Sequence, residues 1–254
     1  MFSKILILSA FFSILSITEL SALTEIQKAK IKSAYKIGKS IKASNGMTFE
    51  NTLPSIMGQE SSWGNANIGD KYDTSGRLKS LYDSSLGNFQ IKLSTAKIVI
   101  MKYPHLRKKY GNLVNTGKST YKEYAIYRKR LEYYKSVFQS KIWKKRAKQG
   151  NKKAIKTIAW AKKEFLKNYD LWKKASKQAK KDTRLINKLM YNFKFSAEIA
   201  GYYLLNSYEQ ALNIYGKKQA YWRAIGKYNG GWNNKRYYNY IIKRMKIVKK
   251  VVKK

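Results

Sequence analysis

Between Met101 and Met190 the chain carries 28 Lys and Arg against five acids. A stretch so charged can bury only a narrow stripe of side chains, and the stripe it offers is largely aromatic. Tyr124, Tyr127, Leu131, Tyr134, Phe138 and Ile142 recur at spacings of three and four, and Ile155, Ile158, Phe165, Tyr169 and Trp172 nearly repeat the pattern after "KQGNKK". That periodicity predicts two long helices over residues 121–180, paired as a hairpin with rings along the seam and lysines outside. Rings interleaved with cations also mark surfaces that stack single-stranded nucleic acid, but at helical spacing they read first as packing residues. Residues 101–184 are therefore expected to form a basic helical insertion.

The charge is unevenly spread. The whole chain has 54 Lys and Arg against 14 Asp and Glu, a net +40, yet residues 46–100 hold five bases and five acids. The stretch from Lys235 to Lys254 has nine bases and no acid. Such a field gathers anionic partners: nucleic acid, acidic lipid headgroups or anionic wall polymer. The first 22 residues choose among them. Lys4, an apolar run from Ile5 to Leu15 and the small pair Ser21-Ala22 have the layout of a signal peptide cleaved after Ala22. Export to the periplasm or beyond, as a soluble protein, is the expectation, and it weighs against nucleic acid as the physiological partner. No later segment is apolar enough to cross a bilayer.

With no cysteine and one histidine, His105, the chain has no parts for a disulfide framework, a His-based zinc site or a Ser-His-Asp triad. No metal and no cofactor is called for. Carboxylates and hydroxyls remain, and one carboxylate stands apart. Glu60, in "GQESSWGNAN", lies within the charge-balanced stretch beside Met57 and Trp63.

The local signals place it on a helix. Residues 24–42 read as a basic amphipathic helix with Ile26, Ala29, Ala34, Ile37 and Ile41 inward, weakened somewhat by Gly38. Pro54 suits the first turn of a second helix that carries Glu60 toward its C-terminal end, with Gly64 and Asn65 able to close it. Residues 68–88 are rich in Gly, Asp and Ser, which favours turns or a short hairpin. "FQIKLSTAKIVIMKY" returns to helical spacing until Pro104. "FSAEIAGYYLLNSYEQALNIYG" reads as a helix pair, and the last helix sets Tyr237, Tyr240, Ile241 and Met245 on one face.

Taken in order, "QESSWG" (59–64), "SLGNFQIKLSTA" (85–96), "IAGYYLL" (199–205), "KYNGGW" (227–232) and "YYNYIIKRM" (237–245) resemble the lysozyme-like lytic transglycosylases. The second is similar to that family's Gly-x-x-Gln-Ile turn and the fourth to its Ala-Tyr-Asn-Ala-Gly motif. Each motif is short, and the resemblance rests on their order over residues 46–100 and 190–246. It implies a mainly α fold: a lysozyme-like core with at most a short β-hairpin, built from residues 23–100 and 185–254 and interrupted by the basic helical hairpin. It also implies peptidoglycan glycan strands as substrate. Glu60 would be the catalytic acid and then base, Ser61 would hydrogen-bond substrate or orient Glu60, and Gln90, Tyr228 and Asn229 would line the sugar cleft. Gln90 capping a helix and Asn229 serving a turn are the plain structural readings of those two.

The sequence departs from the pattern in three ways. Lys227 and Gly230 stand where the family motif has alanines. The segment between Glu60 and Gln90 is long and holds Asp70, Asp73 and Asp83, any of which facing Glu60 across a water would allow hydrolysis, as in a muramidase. The basic insertion has no counterpart in the compact family core; its expected partner is anionic wall polymer or a membrane surface. A non-catalytic basic wall-binding protein is the remaining alternative.

Overall fold

A computed structural model describes residues 22–66, 68–69, 82, 84–115 and 121–253. The leader through Ser21 and Asp70, Asp73 and Asp83 lie outside the described residues. The protein is mainly α, with 78% of the described residues in helix and 4% in strand, and divides into two compact units. One runs to Gly111 and resumes at Ile186; the other is Asn112–Leu185. Among the described residues no helix is long and apolar enough to cross a membrane.

The first unit begins with α1 (Glu25–Ser40). Thr24 and Gln27 close its start reciprocally: the Gln27 amide donates to Thr24 Oγ1 at 3.2 Å and the Thr24 amide to Gln27 Oε1 at 2.9 Å. A cap of this kind is worth about 1 kcal/mol. The buried stripe is Gln27, Ile31, Ala34 and Gly38, rotated from the expected one, with Ile26 left 71% exposed. Gly38 sets the rotation. The chain crosses it at Phe49, whose amide donates to the Gly38 carbonyl at 3.0 Å, and a Cβ there would lie 2.5 Å from the Phe49 oxygen. The glycine that seemed to weaken the helix is its crossing point.

The α2 helix (Thr52–Ser61) buries Leu53, Ile56 and Met57 completely. Pro54 is its third residue, early enough that the missing N–H breaks no intrahelical bond. The helix stops in a run of positive φ at Ser62, Trp63 and Gly64. Three two-residue strands follow, β1 (Ile68–Gly69), β2 (Ser85–Leu86) and β3 (Ile91–Lys92), antiparallel in that order, with Leu86 opposite both Ile68 and Ile91. The strand pair that lies within 68–88, where a short hairpin is expected, is β1–β2, and β3, reached through the turn from Gly87 to Gln90, adds a third strand.

From the sheet the chain enters α3 (Leu93–Lys102) and α4 (Pro104–Tyr110). Pro104 ends one helix and opens the next as its first residue. Both helices fall within the first unit, which therefore extends eleven residues beyond the boundary expected at 100. The segment expected as a helix pair is instead one helix, α8 (Phe193–Tyr215), whose buried side holds Phe195, Ile199, Leu204, Leu205 and Tyr208. It packs on α1, on α3 and on α9 (Lys217–Tyr228), and α10 (Lys235–Val252) lies across α2 and α9.

The second unit holds α5 (Tyr121–Gln139), α6 (Lys141–Lys148) and most of α7 (Lys152–Tyr191). Rings meet between α5 and α7: Tyr124 with Trp172 (centroids 6.3 Å apart), Tyr134 with Trp160 (5.5 Å) and Phe138 with Phe165 (5.3 Å). The expected seam is corrected in two places. Ser140 interrupts the first helix and caps α6 by accepting from the Trp143 amide, so the register resets and Ile142 is 65% exposed. On α7 the buried positions begin at Ala154, Ala161, Asn168 and Ala175, every seventh residue, and continue through Ala179, Asp182 and Leu185, while Ile155 faces solvent. Small side chains there leave room for the rings packed against them.

Candidate active site

The last turn of α2 and the β2–β3 turn, with the α9 C-terminus opposite, enclose a cleft of about 540 Å³. Glu60, Gln90, Thr95, Tyr203, Tyr228 and Asn229 are among its lining residues. Among the described residues that line it, Glu60 is the one carboxylate.

Glu60 is reached from two sides. The Tyr237 hydroxyl, from α10, donates to Glu60 Oε1 at 2.5 Å, and Asn229 Nδ2 donates to the same oxygen at 3.4 Å. Two donors on one oxygen direct an acidic proton to the other, since a proton on Oε1 would face the hydrogen Tyr237 presents. Tyr237 is 4% exposed. Burial, and then the charge and hydrogen bond of Glu60, push its phenol well above the usual range, so it stays neutral and serves as donor. The same helix holds the neighbouring residue: Arg244 Nε donates to Gln59 Oε1 at 3.0 Å.

Tyr228 joins the two walls. It lines the cleft, and its hydroxyl donates to the Phe89 carbonyl at 2.8 Å. Burial, followed by the charge of Glu60, raises this phenol as well. Asn229 terminates α9, and its carbonyl accepts from Asn234 Nδ2 at 2.5 Å. It therefore serves both a turn and the carboxylate.

Gln90 lies in the cleft with φ of +52°, a strained backbone for a side chain of its size. Its Nε2 donates to the Gly87 carbonyl at 2.7 Å, closing its own turn and capping no helix. Its Oε1 is buried against Gly69 with no partner among the described residues. An acceptor left in that condition costs about 1–3 kcal/mol.

Ser61 is corrected. It is 2% exposed, and its hydroxyl lies 2.7 Å from the Asn88 carbonyl and 3.0 Å from that of Met57, while accepting from the Gly64 amide at 3.0 Å. Its one proton is shared between the two carbonyls and it accepts from one amide, and at 2% exposure the hydroxyl is not among the groups lining the cleft. It pins the end of α2 to the β2–β3 turn and so fixes the backbone beneath Glu60.

Sequence reading missed Tyr237, counting it as one residue of an apolar face. The available signal was the hydroxyl: a tyrosine in the middle of a buried stripe must find an acceptor, and a lone carboxylate nearby is the natural one. Among the described residues no group of three His, Asp or Glu side chains could hold a metal ion. If the site catalyses a reaction, replacing Tyr237 by Phe should lower kcat about tenfold and leave KM within about twofold, because one charge-assisted hydrogen bond is lost without changing the cleft wall. Steady-state kinetics would show this, and an unchanged kcat would remove Tyr237 from the site. No family model, curated protein or solved structure matches the chain.

Proposed function

We propose that the chain is an exported peptidoglycan lytic transglycosylase with a lysozyme-like core. The observation that carries this reading is one carboxylate, Glu60, held in an open cleft by neutral donors from Tyr237 and Asn229. The order of the five motifs, and the Gln90 turn and Tyr228-Asn229 edge facing Glu60 across the same cleft, support it.

One carboxylate suffices if the sugar supplies the nucleophile. Glu60, protonated, gives its proton to the glycosidic oxygen between N-acetylmuramic acid and N-acetylglucosamine, and the C1–O4 bond breaks to free the N-acetylglucosamine 4-hydroxyl. The Glu60 carboxylate then takes the proton of the muramic C6 hydroxyl as O6 closes on C1. The acid is regenerated, a 1,6-anhydro ring forms and no water enters. Tyr237 and Asn229 remain donors throughout and steady the carboxylate when it is charged. Gln90 and Tyr228 line the sugar path.

Mass spectrometry of fragments released from purified sacculi tests the reading. Anhydro ends, one water lighter than reducing ends, are expected. Reducing ends would make the protein a hydrolytic muramidase, and no release from a folded, wall-bound protein would make it a binding module.

The second unit supplies the attachment in this reading. Between Asn112 and Leu185 there are 23 Lys and Arg against five acids. These hold the enzyme electrostatically on anionic wall polymer or membrane surface. Retention on sacculi should then fall steeply as salt rises from about 50 mM to about 500 mM, as screening shortens the reach of exposed charges. A bound fraction indifferent to salt would overturn the electrostatic attachment.

A further inference from the structure

One cation lines the cleft and a second stands behind it, and among the described residues neither has a carboxylate partner. Lys227, in the last turn of α9, is half-buried and lines the cleft next to Tyr228. Its ammonium lies 3.9 Å from the centre of the Trp232 ring and donates to Gln210 Oε1. Gln210 Nε2 donates in turn to Asn206 Oδ1 at 3.3 Å, and the same oxygen accepts from Lys102 Nζ, at the end of α3. A relay of two neutral amides thus connects two ammonium groups. Among the described residues neither lysine is paired with a carboxylate.

This arrangement is costly for an isolated protein. Burial, and then the charge of Lys102, pull the Lys227 ammonium below the ordinary lysine range. Amide oxygens and a ring face compensate a desolvated cation only in part. Both lysines gain from the carbonyl ends of their helices, but that attraction acts on each separately and does not relieve their mutual repulsion. The missing component is a negative charge within reach of Lys227, and the open side of Lys227 is the cleft.

We propose that Lys227, backed by Lys102, is a receptor for a carboxylate carried on the glycan bound in the cleft. The proposal rests on the reading of that cleft as a glycan site and adds the chemical class of the substituent it selects. A carboxylate meeting Lys227 makes a charge-assisted hydrogen bond in a partly dehydrated place, where such bonds are strongest. A neutral chain of the same sugars has nothing to offer there. The selectivity is therefore for glycans bearing an acid, such as the lactyl group of muramic acid or the carboxylates of a peptide attached to it.

Calorimetry on the full chain carrying Glu60→Gln, which binds without cleaving, separates the possibilities. The probes are a β-1,4 oligomer of N-acetylglucosamine and an alternating oligomer of the same length with free lactyl carboxylates. The acidic oligomer is expected to bind at least about tenfold tighter. Lys227→Gln and Lys102→Gln, each added separately, should bring the ratio of the two Kd values toward one. Lys227→Arg should keep it, and so should Lys32→Gln on the exposed side of α1, which controls for the general charge of the protein. Equal affinity for the two oligomers in the parent, or a ratio that survives both glutamine variants, overturns the receptor while leaving the glycan site standing. If neither oligomer binds, the glycan reading itself falls and takes the receptor with it.

Discussion

Glu60→Gln releases no anhydro-terminated fragments from sacculi, or releases them at least about a thousandfold more slowly, while remaining folded and bound to the wall. The expectation follows from what the substitution leaves intact. Glutamine has the same shape, and its amide oxygen still accepts from Tyr237 and Asn229 where Oε1 did. Only the transferable proton is lost. Positioned general acids and bases contribute about 10²–10⁴ each, and here one group acts in both roles. The variant's melting temperature should stay close to the parent's, since the hydrogen bonds from Tyr237 and Asn229 are kept. Quantitative mass spectrometry of released fragments decides the matter. Activity within about tenfold of the parent, well short of the range expected for a positioned acid, would show that Glu60 is not the proton donor.

Gly87→Ala is the second large effect, and it acts on stability. Gly87 has φ of +71°, and a Cβ built there would lie 2.1 Å from the Leu189 carbonyl oxygen and 2.8 Å from Ser196 Oγ. The left-handed backbone costs an alanine about 1–2 kcal/mol and the overpacking about 1–3 kcal/mol more. For a chain of this size the sum corresponds to a fall in Tm of roughly ten degrees. Thermal unfolding followed by circular dichroism would report it. Activity should fall further than stability alone explains, because the turn that begins at Gly87 carries Gln90 and the Phe89 carbonyl that anchors Tyr228. A Tm within about two degrees of the parent's, far less than such overpacking implies, would mean that the turn does not press on Leu189 as described.

The parts of the site that were legible in the sequence are those whose chemistry is local. Glu60 near the end of its helix, the turn from Gly87 to Gln90 and the Tyr228-Asn229 edge each occupy a few consecutive residues, and periodicity or turn chemistry places them. What remained hidden depends on contacts between distant segments. Ser61 looked like a substrate ligand because it is polar and sits beside the carboxylate proposed as the acid. Its burial follows from the approach of the Asn88 carbonyl, 27 residues away. Tyr237 looked apolar because it shares a stripe with Ile241 and Met245. In α1 the true buried face includes Gln27 and Gly38, which no hydrophobicity pattern would select, because one side chain caps the helix and the other position admits a crossing strand of chain. On α7 the sequence pattern drew attention to large residues, whereas the alanines at every seventh position decide which side is buried.

The two donors that hold Glu60 are separated from it by 169 and 177 residues of chain. The carboxylate is therefore not set in place by its own helix, and α2 can form long before the site exists. Contacts closing loops of this length form late and slowly in folding. During synthesis the ribosome must deliver residues 229 and 237 before the acid has its partners. A chain with the proposed activity would carry its carboxylate unpositioned through most of its own production, and its competence to cut would arrive with the docking of α10.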